Sequence, residues 1–274
     1  MRVFVNSVPK SGTNLMEKLI RLVGIKRSGK SLAYSSVEGR HSIAKHLIRI
    51  NHFSGVSVPI GLEVPVSVSI KWLDRYLSSI DTNRYISGHA AYSEQLDYLL
   101  KSKNIKTLQM FRDPRAVLVS WAKYIVEDIN KWHPYHDFFK SLSLHKRIRF
   151  LITGGSVGQS YYSSFKEVLS RSAGWLYNPN CLIVRFEDLV GSKGGGSDEL
   201  QRKTILNILK HIDKEVRVNE LEQLQSDLFG GTHTFRGGQI DQWEEDFNDV
   251  LHELIKYELQ DCDCLKKLGY DKFI

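Results

Sequence analysis

Two short runs have the residue types of a phosphate-binding loop. The first is Pro9-Lys10-Ser11-Gly12-Thr13, followed by Asn14. It stands between a strand-like run, RVFVNSV (2–8), and a run of helical period, NLMEKLIRLV (14–23). Gly12 permits a tight turn and close backbone approach to a ligand. Ser11, Thr13 and Asn14 bring short hydrogen-bond donors to a helix start, and Lys10 brings a point positive charge. A strand-to-helix turn of this kind is where α/β proteins hold anions. The same residues also suit an ordinary turn with a capping Ser or Thr. The second run, Gly24-Ile-Lys-Arg-Ser-Gly29-Lys30-Ser31, satisfies G-x-x-x-x-G-K-S. Taken alone it implies a Mg-dependent P-loop kinase or NTPase. Its context argues otherwise. The residues before Gly24 are helical in period, and LAYSSVEG after Ser31 makes a poor helix. Gly24 reads better as a helix C-cap with a basic exit loop behind it.

These residues need a scaffold. RVFVNSV (2–8), IKTLQMF (105–111) and CLIVRF (181–186) read as strands, with RYISG (84–88) a weaker fourth. Helical patterns alternate with them: Leu15, Leu19, Leu22 and Val23; Leu96, Leu99 and Leu100; Ala116, Val119, Trp121, Tyr124 and Ile125 after Pro114; Leu200, Ile205, Ile208 and Leu209; Val250, Leu251, Leu254 and Ile255. The alternation predicts a single α/β domain spanning residues 1–274, a parallel sheet of about four or five strands with helices on both faces. Ligands of such sheets bind at the carboxyl ends of the strands. The loops after residues 8, 88, 111 and 186 are therefore the expected site. Gly191–Ser197 (GSKGGGS) reads as a flexible surface loop inside the domain.

Read together, those loops resemble the family of sulfotransferases that use 3′-phosphoadenosine 5′-phosphosulfate (PAPS). Pro9–Thr13 is similar to the family's 5′-phosphosulfate loop. Arg112-Asp-Pro-Arg-Ala-Val-Leu-Val-Ser120 resembles its 3′-phosphate motif, a strand-end Arg with a Ser eight residues on. Arg185-Phe-Glu-Asp-Leu189 is similar to its fourth-strand YEDL segment. Phe235-Arg-Gly-Gly238, with Trp243 and Phe247, resembles the late loop that closes over the nucleotide, and Leu268-Gly269-Tyr270 a familiar ending. The matches run in family order along nearly the whole chain. The resemblance implies a P-loop-like sulfotransferase fold, PAPS as donor, PAP as product, and no metal.

The resemblance also implies roles. Lys10 stabilises the leaving 5′-phosphate oxygen. Ser11, Gly12, Thr13 and Asn14 supply donors. Arg112 pairs its forked guanidinium with the 3′-phosphate, aided by Ser120. Phe186, Arg236, Gly237 and Gly238 complete the cofactor site. In the cytosolic branch a His after the second strand is the general base, which here is His89, a residue type suited to proton transfer near neutral pH. Some positions depart from the family. Leu15 replaces the aromatic that often stacks on adenine, Phe186 the fourth-strand Tyr, and Gly237 the usual late-loop Lys.

The family builds its acceptor pocket from variable segments, here about 30–80, 124–160 and 225–234. Trp121, Tyr124, Trp132 and Tyr135 are candidate walls, and Glu127 and Asp128 candidate partners for a cationic acceptor. The same residues also read as core aromatics and solvated acids. Either a hydroxyl or an amine acceptor fits, and some bacterial members, including cyanobacterial ones, sulfate cationic secondary metabolites. The 274 residues carry 38 Lys and Arg against 31 Asp and Glu, net charge +7. That favours anionic ligands, yet no long basic run points to nucleic acid. No apolar run is long enough to span a membrane. Cys181, Cys262 and Cys264 form neither a disulfide framework nor a zinc set. With a strand starting at Arg2, a cytoplasmic protein is expected. A catalytically dead member of the fold fits the sequence less well, since Lys10, His89, Arg112 and Ser120 are all present.

Overall fold

The computed structural model describes residues 1–33, 56–131, 133, 135–231 and 238–273. Five strands form one sheet: β1 (Arg2–Ser7), β2 (Lys26–Leu32), β5 (Arg84–Gly88), β6 (Ile105–Phe111) and β9 (Cys181–Arg185), in the spatial order β2-β5-β1-β6-β9. Every pairing in it is parallel. Two antiparallel hairpins stand apart, β3 (Ser57–Ile60) with β4 (Val66–Ser69), and β7 (Gly155–Val157) with β8 (Ser160–Tyr162).

Alternation along the central strands explains the layers. Val3 and Val5 of β1 pack on one face with Leu15, Leu19 and Ile20 of helix Thr13–Leu22 and Ile205 and Ile208 of helix Asp198–His211. Phe4 packs on the other face with Leu73 and Leu77 of helix Ile70–Ser78, Leu96 of helix Glu94–Ser102, and Trp175. A further apolar cluster joins helices Pro114–Tyr124, Leu144–Thr153 and Asp249–Leu259 beyond the sheet end.

The four strands expected from apolar runs are present, and β2 is an addition. Its sequence, KRSGKSL, buries only Leu32. An edge strand has one neighbour and needs no apolar run, and its lysines guard the open side. The exit loop expected after Gly24 is therefore this strand. Gly24 itself ends the helix as expected, at φ +85°, with its N–H donating to Arg21 O. Helix stripes also differ in detail. Leu22, Leu200 and Val250 are exposed, and Met16 and Ile20 take the buried places in the first helix. The Gly191–Ser197 stretch is a tight hydrogen-bonded turn, not a flexible loop. Gly196 N donates to Gly191 O, and Ile240 N donates to Gly194 O, docking the late loop onto it. A Cβ on Gly194 would meet Gly238 O at 2.8 Å.

Candidate active site

Three neighbouring strand ends, those of β5, β1 and β6, each bring a candidate residue. After β1 the chain turns through Lys10 (φ +65°) and Gly12 (φ +99°) into helix Thr13–Leu22. Ser11 N donates to Val8 O, and Leu15 N and Met16 N donate to Gly12 O. No side chain caps this helix. Thr13 Oγ1 instead lies 2.6 Å from Ser7 Oγ, so the turn is not built by an ordinary Ser or Thr cap. Lys10 Nζ lies 3.7 Å from the centre of the Tyr124 ring.

After β5 comes His89. Its N–H donates to Leu32 O, and its Nδ1 lies 2.9 Å from Ser7 O. A carbonyl oxygen only accepts, so Nδ1 carries a proton, and in the singly protonated tautomer this leaves Nε2 as the acceptor. The next residue is clamped to β1. Asn6 Nδ2 donates to Ala90 O, and Ala90 N donates to Asn6 Oδ1 (2.9 and 2.8 Å). Asn6 is fully buried and also donates to Gln109 Oε1 on β6. One side chain thus ties three neighbouring strands together.

After β6 comes Arg112. Its Nη2 donates to Gln239 O at 2.9 Å, and its guanidinium carbon lies 4.2 Å from the centre of the Phe186 ring. Burial pulls its pKa down, opposed by Glu187 and Asp113, though an arginine stays charged throughout the working range. Its Nε is buried without a partner among the described residues. Glu187 braces this loop, accepting from Asp113 N (2.9 Å) and from Tyr270 Oη (2.6 Å). Asp113 caps helix Pro114–Tyr124, with Pro114 in its first turn, and holds Arg115 through two further bonds. Arg115 in turn lies 3.8 Å from the Trp243 ring of the late loop.

These ends open into one cavity of about 480 Å³. Lys10, Gly12, Thr13, Asn14, His89, Arg112, Ser120, Phe186 and Gly238 all line it, as does Tyr124. Ser11 stands outside the lining, fully buried, with an unpartnered Oγ, so its hydroxyl is not placed as a ligand donor. Glu127 and Asp128 are outside it too, a correction to their expected acceptor role. Asp128 is exposed and pairs with Lys131 (3.3 Å) and Lys140 (3.6 Å); its hydrogen bond to Lys131 is the main cause of its lowered pKa. Arg236, Gly237 and Trp132 lie outside the described residues. Lys30 of the G-x-x-x-x-G-K-S run is on β2, where its Nζ donates to Ser79 O (2.9 Å) and Ser79 Oγ, and it does not line the cavity. That run is no phosphate loop. Asn6, Glu63 and His133 are residues at or behind the cavity that motif reading missed. Asn6 alone had a local signal, an amide inside an otherwise apolar strand.

The model of the sulfotransferase domain family matches residues 1–263. The chain belongs to this family. No curated protein matches it significantly. Among solved structures it is similar to mouse sulfotransferase SULT7A1 complexed with PAP, at 16% identity and a TM-score of 0.60, covering 98% of this chain and 88% of that one. It is similar also to retinol dehydratase in complex with androsterone and inactive cofactor PAP, at 15% identity and a TM-score of 0.61, covering 97% and 80%. A complex of retinol dehydratase with retinol and PAP matches at 14% and 0.60, covering 97% and 81%. At these identities the likeness shows a shared sulfotransferase fold. Among the described residues no helix is long and apolar enough to cross a membrane, and no cluster of His, Cys, Asp and Glu is arranged to hold a metal ion.

Proposed function

We propose that the protein transfers a sulfuryl group from PAPS to a hydroxyl or amine of a small-molecule acceptor, with His89 as general base. Membership of the family makes it a PAPS-dependent sulfotransferase, with PAP as the product nucleotide. The residues present fit that nucleotide. The Nε of Arg112 is buried and unpartnered, and at Gly12 a Cβ would come within 2.6 Å of Phe186 Cδ2, so only glycine keeps this turn open beside the cavity. Bound PAPS supplies the activated sulfuryl group.

Lys10, with Gly12, Thr13 and Asn14, would hold the 5′ end and its developing negative charge. Arg112 and Ser120 would hold the 3′-phosphate, and Phe186 keeps Arg112 flat and aimed. His89, its Nδ1 proton held by Ser7 O, would take the acceptor's proton at Nε2. The observation that carries this reading is the convergence of Lys10, His89 and Arg112 on one cavity from three neighbouring strand ends.

A thermal shift with PAP beside Mg-ATP, with and without EDTA, tests it. A ligand at a hundred times its Kd stabilises by about 2.7 kcal/mol. That is a rise of roughly 5–10 °C for a chain of this size. The shift should be specific to PAP and indifferent to EDTA. His89→Gln should keep the PAP shift and lose transfer from PAPS to a panel of phenols and amines. A shift with Mg-ATP alone would refute the cofactor, and full transfer by His89→Gln would refute the base.

A further inference from the structure

The tip of the β3–β4 hairpin brings a carboxylate to the same cavity. The hairpin turns through Gly61-Leu62-Glu63-Val64-Pro65, and both Glu63 and Val64 line the cavity. The tip is anchored on each side. Leu62 is fully buried in the cluster that contains Val8, Phe111 and Trp121. Arg171 Nη1 donates to Leu62 O (2.5 Å) and to Ser163 Oγ (2.7 Å), and Ser163 N donates to Glu63 O (3.4 Å). The backbone that carries Glu63 is therefore held, so only the side chain's own rotamers remain to be ordered.

One oxygen of the carboxylate is unmatched among the described residues. Glu63 Oε2 is buried and has no hydrogen-bond partner among the described residues. A buried carboxylate oxygen without a donor is costly, and such groups persist where a ligand completes them. Neither His133 nor Tyr162 beside it brings a cation. His133 lines the same cavity, but burial, with His136 nearby, pushes its pKa down to about 4, so it is neutral at pH 7. Tyr162 is fully buried, which raises its pKa, and the Glu63 charge adds to that; its hydroxyl meets Trp121. A carboxylate repels phosphate and sulfate, so Glu63 does not serve the anionic groups of the donor nucleotide. Trp121 and Tyr135 also line this cavity, and aromatic faces beside a carboxylate favour a cation.

We propose that Glu63 is the specificity residue of the acceptor site, and that the acceptor is a cationic small molecule bearing an amine, amidine or guanidinium group. The inference rests on the sulfotransferase reading above. It places the anion-binding groups, Lys10 and Arg112, and the cation-binding group, Glu63, in one cavity, so that the two substrates are told apart by sign of charge.

Three probes of one ring size test it: benzamidine, benzamide and benzoate, each titrated into the PAP-saturated protein by calorimetry. Benzamidine should bind at least about tenfold tighter than benzamide, the worth of a charge-assisted hydrogen bond, and benzoate weakest. In Glu63→Gln the benzamidine advantage should fall to within about threefold while the PAP shift is kept. Tyr162→Phe should keep the advantage. If benzamidine does not rank first in the wild type, the proposal is overturned whether or not the variants fold. A Glu63→Gln protein that keeps the preference overturns it equally. Loss of the preference in Tyr162→Phe would make that hydroxyl, and not the acceptor, the group Glu63 serves. Absence of any PAP shift in the wild type would instead sink the sulfotransferase reading, so the two failures are separable.

Discussion

Gly12 is the residue on which the geometry of the loop after β1 turns, and substituting it isolates two costs that the structure keeps separate. In Gly12→Ala the backbone must hold a side chain at φ +99°. That strain costs about 1–2 kcal/mol. The new methyl would also sit 2.6 Å from Phe186 Cδ2 and 3.1 Å from Met110 Cε. Overpacking of that kind costs about 1–3 kcal/mol. The sum, about 3 kcal/mol, lowers Tm by roughly 6–12 °C. Only the second cost depends on Phe186. Shrinking that ring in Phe186→Leu should relieve the clash and leave the strain. A double-mutant cycle of the four proteins, melted without ligand, should therefore show a favourable coupling of about 1–3 kcal/mol. The same displacement of Phe186 disturbs the ring under Arg112, 4.2 Å away, so the PAP shift of Gly12→Ala should shrink as well. Equal destabilisation by Gly12→Ala in both backgrounds would refute the steric account and leave backbone strain alone.

Further predictions follow from single groups. His133 has its folded pKa lowered from 6.5 to about 4, so the unfolded chain binds the extra proton between those values. Stability from this group is full above pH 6.5 and is lost as pH falls toward 4, by about 3 kcal/mol at most. Melting curves at pH 7 and 4.5 should show His133→Gln losing less than the wild type, and equal losses would refute the linkage. Lys30→Ala should leave PAP binding and turnover unchanged, measured by thermal shift and transfer assay, since Lys30 bonds Ser79 outside the cavity. A dead Lys30 variant would overturn the assignment of the nucleotide to the Lys10 loop.

How much of this was legible follows from where each residue gets its partners. β1, β6 and β9 lie inside a parallel sheet and read as apolar runs, while β2 borders solvent and reads as polar sequence. Lys10, His89 and Arg112 were legible because each directly follows a strand, so finding the strand finds the residue. Glu63 was not. Nothing near it in sequence differs from an ordinary hairpin tip, and its meaning comes from Arg171, Ser163 and a cavity built by distant segments. Glu127 and Asp128 misled for the opposite reason. They neighbour aromatic residues in sequence, but the short turn Asp128–Asn130 leaves Asp128 in solvent with the nearby Lys131. The expected acceptor segments fared better as segments: Glu63 and Val64, His133 and Tyr135, and Phe229 and Gly230 line the cavity from the three expected regions.

The clamps around the site explain why these groups can act together. Lys10 sits at φ +65°, which a side chain adopts only at a cost, and Ser11 N bonded to Val8 O closes the turn around it. His89 and the Lys10 loop are both fastened to Ser7, through Nδ1 and through Thr13 Oγ1. Arg112 is fastened to the late loop by Gln239 and, through Asp113 and Glu187, to the C-terminal Tyr270. The buried Asn6 then locks the His89 strand to β1 and β6, with its donor and acceptor both used. In-line group transfer demands fixed distances between nucleophile, base and leaving group, and a small misplacement is costly in rate. Hydrogen bonds that run between strand ends supply that fixity where apolar packing, indifferent to direction, does not. On the proposed reading, the polar residues at these strand ends belong to the catalytic geometry, and the sheet is the frame that keeps His89, Lys10 and Arg112 in register.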